Sequence, residues 1–297
     1  MQLDPDAILA RLARDIPPRL LRNLYLIGSL AAGFHFRAAL ESRAVNTKDA
    51  DLVVQPVGNL DAVAKIASNL RKSRWNWKLD FGPVGSATTP EGKLPDIRLY
   101  PPGRNPKYWV ELQGLPKPDQ AEPVRRTRVV IDGEHFAVPA FRFAGITARG
   151  LRDTPRGIRY ADPAMMALSN LLAHPEVGTH RMSTAIAGRR CLRSAKDLGR
   201  VLAFARLCDR REVQGWVGPW LRALRSSFPR TWRAIGVRAG AGLRALLADE
   251  DGMSDAHWAM RNGLLSGLGV GRNELVVVGE GFLADVVEPF EKRCRPR

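Results

Sequence analysis

The amino-acid sequence predicts an α+β protein in two parts: an N-terminal α/β domain over residues 1–160, with a small mixed sheet and helices, and a mainly helical domain over residues 161–297. Three observations carry that reading. Short apolar or alternating runs, bounded by Gly, Pro, Asn and Asp, recur as far as Phe141 and have the texture of strands. From about Asp162 the apolar spacing becomes helical. The chain has 297 residues, 45% of them apolar and 26% charged, which suits a folded protein with room for two modest domains.

The elements follow in order. MQLDPDAILARLARDI mixes charged and apolar residues at helical spacing and predicts an amphipathic helix, ended by Pro17-Pro18. Leu24, Tyr25, Leu26 and Ile27 make a short buried strand that stops at Gly28. Ser29, a good N-cap residue, should open an Ala-rich helix over Leu30 to Leu40. In KDADLVVQPV the acids Asp49 and Asp51 alternate with Ala50, Leu52 and Val54, so a strand there carries both carboxylates on one face.

Leu60, Val63, Ile66, Ala67 and Leu70 predict a helix that starts near Asn59 or Asp61 and covers the sheet. Pro95 to Pro102 and Tyr108 to Leu115 are extended and separated by a Gly-Arg-Asn-Pro turn, a pattern suited to a hairpin. RTRVVID and EHFAVPAF are joined by Asp132-Gly133, the dipeptide that favours a type I′ hairpin turn. Helices then follow in ADPAMMALSNLLAHP and SAKDLGRVLAFARL and continue towards Asp249. Near the end, Val276 to Val278 reads equally as a strand or as the start of a helix, and the pair Gly279 and Gly281 reads as a turn.

Composition narrows the partners. Lys and Arg number 46 against 30 Asp and Glu, and the resulting charge of +16 favours polyanions such as nucleic acid or a nucleoside triphosphate. Cys191, Cys208 and Cys294 are odd in number and widely spaced, so they read as reduced thiols rather than a disulfide framework. His35, His135, His174, His180 and His257 show no metal-ligand spacing, and no zinc site is expected. No run approaches the length of a membrane span, no signal-peptide core is present, and the cytoplasm is the default location.

Trp75 and Trp77, set among Arg71, Lys72, Arg74 and Lys78, would either stack on single-stranded nucleic acid or alternate on an ordinary strand. The tail EKRCRPR and the segment RTWRAIGVRAGAGLRALL read as solvated basic faces able to touch RNA, the second with the spacing of an amphipathic helix.

One constellation carries chemistry. A strand that ends in Gly28-Ser29 and opens a helix offers backbone N–H groups and the positive helix end to an anion, and Ser29 adds a hydroxyl. Two carboxylates at i and i+2 on a neighbouring strand are hard oxygen ligands suited to Mg²⁺ against phosphate oxygens. The order strand, Gly-Ser, helix, strand with Asp49-Ala50-Asp51 resembles the signature of the polymerase-β-like nucleotidyltransferase superfamily. Thr47-Lys48-Asp49-Ala50-Asp51-Leu52 is similar to the Thr-x-Asp-apolar-Asp motif of the AbiEii and MenT toxin-like nucleotidyltransferases. Arg193, Lys196 and Asp197 in RSAKDLGRVL are similar to the Lys-Asp-Leu helix of those proteins.

The resemblance implies a polymerase-β-like N-terminal domain, with the helical domain closing over the nucleotide. It also implies transfer of a nucleoside monophosphate from an NTP to an acceptor, with Mg²⁺ or Mn²⁺ and release of pyrophosphate. An RNA end, notably that of tRNA, is the implied acceptor, and an antitoxin protein an implied partner. Gly28, Ser29, Arg193, Lys196 and Asp197 would serve the nucleotide, and Asp49 and Asp51 the metal. The family pattern wants a third acid: Glu111, followed by a family-like Leu-Pro, is preferred, with Asp96 as the alternative. Two departures stand out. The stretch between Ser29 and Asp49 is long, and Asn170 sits where relatives often carry a Lys. The second leaves a non-catalytic, nucleic-acid-binding protein with a degenerate nucleotidyltransferase fold as the alternative reading.

Overall fold

The computed structural model describes residues 2–40, 45–79, 82–104, 106–177 and 180–296. Residues 41–44 of the long connection, Asp80, Asn105 of the expected turn and Arg297 of the basic tail lie outside them. The strands are β1 (Gln2–Leu3), β2 (Leu24–Ile27), β3 (Val45–Asn46), β4 (Asp49–Val54), β5 (Asn76–Trp77), β6 (Arg98–Tyr100), β7 (Trp109–Gly114), β8 (Val124–Ile131), β9 (Glu134–Phe141), β10 (Arg152–Asp153) and β11 (Arg159–Tyr160).

A run of four apolar residues cannot alternate with polar ones, so it must be covered on both faces. In β2 Leu24, Tyr25 and Leu26 are fully buried, and the strand lies inside a seven-stranded mixed sheet of order β10-β11-β2-β4-β7-β6-β5. Its neighbour β4 runs antiparallel to it, whereas β4 and β7 are parallel. Parallel strands need a long crossover. The helix Leu60–Lys72 supplies part of it, buries Ala62, Val63, Ile66, Ala67 and Leu70, and is capped by the Asn59 side chain on the Ala62 N–H. Such a cap is worth about 1 kcal/mol.

The β6–β7 hairpin and the β8–β9 hairpin both form as the alternation implies, with Asp132 and Gly133 at positive φ in the second turn. The helix after β2 runs Gly28–His35, not from Ser29 to Leu40, and Ile27 rather than Ser29 holds the cap position. Ser29 is instead drawn into a contact with a distant arginine, described below.

After Tyr160 the named elements are helical. Pro163–Val177 and Arg193–Leu207 pack together, and the second also packs on Glu250–Arg261 and Arg272–Phe282. Val276 to Val278 therefore belong to a helix. Gly279 is not in a turn either, because Leu275, Gly279 and Phe282 recur at helical spacing and are the face that this helix buries. The basic segment from Arg230 to Leu247 breaks into two short helices, Trp232–Gly236 and Ala241–Ala248.

Buried apolar side chains form one contiguous core from Leu3 to Cys294. It is stitched across the sheet–helix boundary by a 5.9 Å ring contact between Phe36 and Phe204, and within the helical part the Trp220 indole N–H donates to the Ala164 carbonyl at 2.8 Å. Trp75 is fully buried with its indole N–H on Asp15, and Trp77 donates to Glu134, so neither ring stands free to stack on a base. Among the described residues the three cysteines are unpaired, and no helix is long and apolar enough to cross a membrane.

Candidate active site

Strand register, more than sequence distance, decides what meets on the sheet. Ile27 lies opposite Asp51, Asp51 opposite Glu111, and Glu111 opposite Arg98, giving one row across β2, β4, β7 and β6. Residues in one row share a face, with Cβ atoms roughly 5 Å apart. Asp49 lies one step along the same face, opposite Trp109. Local bonds hold both aspartates: the Thr47 hydroxyl donates to Asp49 Oδ1 at 2.7 Å, and the Gln113 amide donates to Asp51 Oδ1 at 3.4 Å.

Gly28 is part of this arrangement for a steric reason. Its φ of +74° suits glycine, and a Cβ placed there would stand 2.8 Å from Asp51 Oδ2. The turn out of β2 thus passes directly against the carboxylate. The next residue, Ser29, accepts a hydrogen bond at 3.3 Å from Arg200 on the helix Arg193–Leu207. On that helix Arg193, Lys196, Asp197 and Arg200 follow the i, i+3, i+4, i+7 pattern of one face. Asp197 is buried, pairs with Arg193 at 3.1 Å and lies 3.8 Å from Arg200.

The electrostatics follow from this placement. Burial raises the Asp51 carboxyl well above its ordinary range, and the charges of Asp49 and Glu111 push it further, against the pull of Arg200 and Lys196. Glu111 is raised too, mainly by burial, although Arg98 opposes the shift. Lys196 is lowered by burial and by the neighbouring Arg200. Burial alone would raise Asp197, but Arg193, Arg200 and Lys196 outweigh it and hold the carboxyl below its usual range.

Gly28, Ser29, Asp49, Asp51, Glu111, Arg193, Lys196 and Asp197 therefore occupy one neighbourhood, although Glu111 is engaged by Arg98. Its Oε2 accepts from Arg98 Nε at 2.6 Å, and among the described residues no group of three or more His, Cys, Asp or Glu is gathered so as to hold a metal ion. Asp96, the alternative third acid, pairs with Arg98 at 3.3 Å and with Arg126 of β8, one step further from the aspartates. Asn170 has its Nδ2 buried without a hydrogen-bond partner among the described residues.

Four contributors escaped the sequence reading in the roles they take here: Thr47, Arg98, Gln113 and Arg200. Arg200 carried a signal, because it continues the Arg193–Lys196 stripe by one turn. Arg98 carried a weaker one, two residues after Asp96 on the same strand. Gln113 becomes visible only once β7 is placed beside β4.

No protein-family model and no curated protein matches the chain. Two solved structures align over nearly its whole length. One is JHP933 from Helicobacter pylori, at 11% identity and a TM-score of 0.39, covering 99% of this chain and 96% of that one. The other is the Bradyrhizobium diazoefficiens CD-NTase CdnG in complex with GTP, at 12% identity and a TM-score of 0.18, covering 96% and 91%. Both likenesses are slight, and neither assigns an activity to this chain.

Proposed function

We propose that the protein is a metal-dependent nucleotidyltransferase that moves a nucleoside monophosphate from an NTP to an acceptor hydroxyl, an RNA end such as that of tRNA, and acts in the cytoplasm as the toxin of a toxin–antitoxin pair. The supporting observation is the approach of the Gly28 turn to Asp51, with Asp49 and Glu111 beside it and Lys196 and Arg200 within electrostatic reach. The opposed charges suit a ligand that brings both cation and anion. The charges of Asp49 and Glu111 bear on Asp51, and carboxylate oxygens are hard ligands that match Mg²⁺ or Mn²⁺. Asp49 and Asp51 would hold that ion, which when bound supplies neutralisation of triphosphate charge.

The remaining steps fall to the chain itself. The Gly28-Ser29 backbone and Ser29 hydroxyl bind phosphate oxygens, and Lys196 and Arg193 offset the charge that develops on pyrophosphate as it leaves. Asp197 orients Arg193 and lies beside Arg200. The acceptor oxygen forms its bond to the α-phosphorus while the bond to pyrophosphate breaks. Glu111 Oε2 takes the acceptor proton once Arg98 yields it, a role that its raised pKa favours. Residues 161–297 supply the basic wall of the cleft.

The Arg98–Glu111 pair also favours a second reading, a nucleic-acid-binding protein that keeps the fold without turnover, because a salt-bridged carboxylate is not a free base. One assay separates the two. Purified protein is incubated with Mg²⁺, each labelled NTP and total tRNA. Label should reach RNA and pyrophosphate should be released; tight RNA binding without label transfer to any acceptor would overturn the enzyme reading.

A further inference from the structure

Where β4 and β7 end, on the side away from the aspartates, a second feature of the molecule lies open. The residues after both strands line a cavity of about 360 Å³ together with the helix ending at Ser227. At about 3.3 Å per residue, Gln55 in its wall is roughly 13 to 20 Å along the chain from Asp51 and Asp49. It is a separate place.

The lining is one-sided in charge. Arg22, Lys117 and Arg149 contribute to it beside Arg142, and no acidic side chain is among its described lining residues. Asp119, close by in sequence, is turned away: its carboxylate accepts from the backbone N–H and guanidinium of Arg230 and from the Thr231 hydroxyl. Arg142 is held in place by aromatic faces, its guanidinium 5.0 Å from the Phe143 ring and 5.7 Å from that of Phe228. Like charges gathered around a partly enclosed space repel one another more strongly than in open water.

Ser227 supplies an independent observation. It is only 6% exposed, it lines the same cavity, and its Oγ is buried with no hydrogen-bond partner among the described residues. A buried hydroxyl without a partner costs about 1–3 kcal/mol, which makes such groups rare unless something else satisfies them. Leu115 and Pro116 provide apolar wall beside these polar groups. The volume falls within the range of small-ligand sites.

We propose that this cavity binds a phosphate-bearing ligand, with the phosphate between the guanidinium groups and Lys117, the Ser227 hydroxyl donating to it, and the organic part against Leu115 and Pro116. Arginine forks match phosphate geometry and bind it more firmly than a single ammonium does. The site needs neither the metal nor the transfer reaction proposed above, so it stands or falls on its own.

The test is isothermal titration calorimetry on the full chain carrying Asp49→Ala and Asp51→Ala, without divalent metal, using inorganic pyrophosphate, AMP and a short 5′-phosphorylated RNA. At least one probe should bind, with Kd raised at least about tenfold by Lys117→Glu/Arg149→Glu and severalfold by Ser227→Ala at an unchanged melting temperature. Tighter binding of AMP than of RNA assigns the phosphate to a free small molecule, and the reverse assigns it to a nucleic-acid end; both support the site. The same charge reversal at the exposed Arg211 and Arg222 should leave Kd within about threefold. No binding of any probe, undiminished binding in Lys117→Glu/Arg149→Glu, or equal weakening by the Arg211 and Arg222 reversal would overturn the proposal.

Discussion

At their starts, β4 and β7 carry Asp49, Asp51 and Glu111; past their ends, the same two strands lead into a cavity lined by Arg22, Lys117 and Arg149, with no acidic side chain among its described lining residues. Because these strands are parallel, both ends are doubled, and one short stretch of sheet presents opposite charge at its two extremities. The ends differ in how that charge is answered. Near the acids the chain places Lys196 and Arg200 on a helix and steadies them with the buried Asp197, and Arg98 holds Glu111. Around the cavity no acidic residue of the described wall does the same for Arg22, Lys117 and Arg149. Charge that the fold itself balances can be structural, whereas charge left over points outward, to a ligand.

Five variants test how far this difference goes. Asp49→Ala/Asp51→Ala should break the acid end outright, lowering nucleotide transfer at least about a thousandfold, or about 4 kcal/mol in the barrier, with an unchanged circular dichroism spectrum. Full transfer by that variant would refute the site assignment. Asp197→Asn should strip the helix of its counter-charge and leave Arg193, Lys196 and Arg200 repelling one another at a cost of roughly 3 kcal/mol in urea unfolding. The Asp197 contribution has a definite sign. Its folded pKa is depressed, so the stabilisation is present above the unfolded value near 3.8 and is lost as pH falls through the folded one.

Gly28→Ala meets both a positive φ and the Asp51 carboxylate, and should cost about 1–2 kcal/mol of stability as well as transfer activity. A silent Gly28→Ala would mean that the turn does not press on Asp51. Arg98→Gln removes the group that opposes the rise in the Glu111 pKa, so the acid limb of the transfer rate against pH should move upward. An unmoved limb would remove Glu111 as the base. Smallest is Asp51→Asn, which should abolish transfer yet stabilise the fold by roughly 1 kcal/mol at pH 8. Asp51 has a raised folded pKa, so the wild type is penalised as pH rises through the window above the ordinary aspartate value, and the advantage of Asn should shrink on acidification.

Much of the sheet and its two aspartates was legible in the sequence because each depends on a local pattern. Leu24 to Ile27, the Asp49–Asp51 alternation and Asp132-Gly133 are read within a few residues, and the structure has strands and a hairpin turn there. What was illegible depends on register or on distant packing. Nothing near Glu111 says that Arg98 lies opposite it, and nothing near Ser29 says that Arg200 reaches it from 171 positions away. The Ser29 cap failed because the turn at Gly28 starts the helix a residue early. Gly279 misled because a glycine on a buried helical face looks, in sequence alone, like one in a turn.

The single core running from Leu3 to Cys294 has a thermodynamic consequence. Cutting the chain after Ala161 would bare the Phe36 ring on one piece and the Phe204 ring on the other. Buried residues of both pieces belong to that one core. Melting should therefore be all-or-none, with one heat-absorption peak whose calorimetric and van't Hoff enthalpies agree.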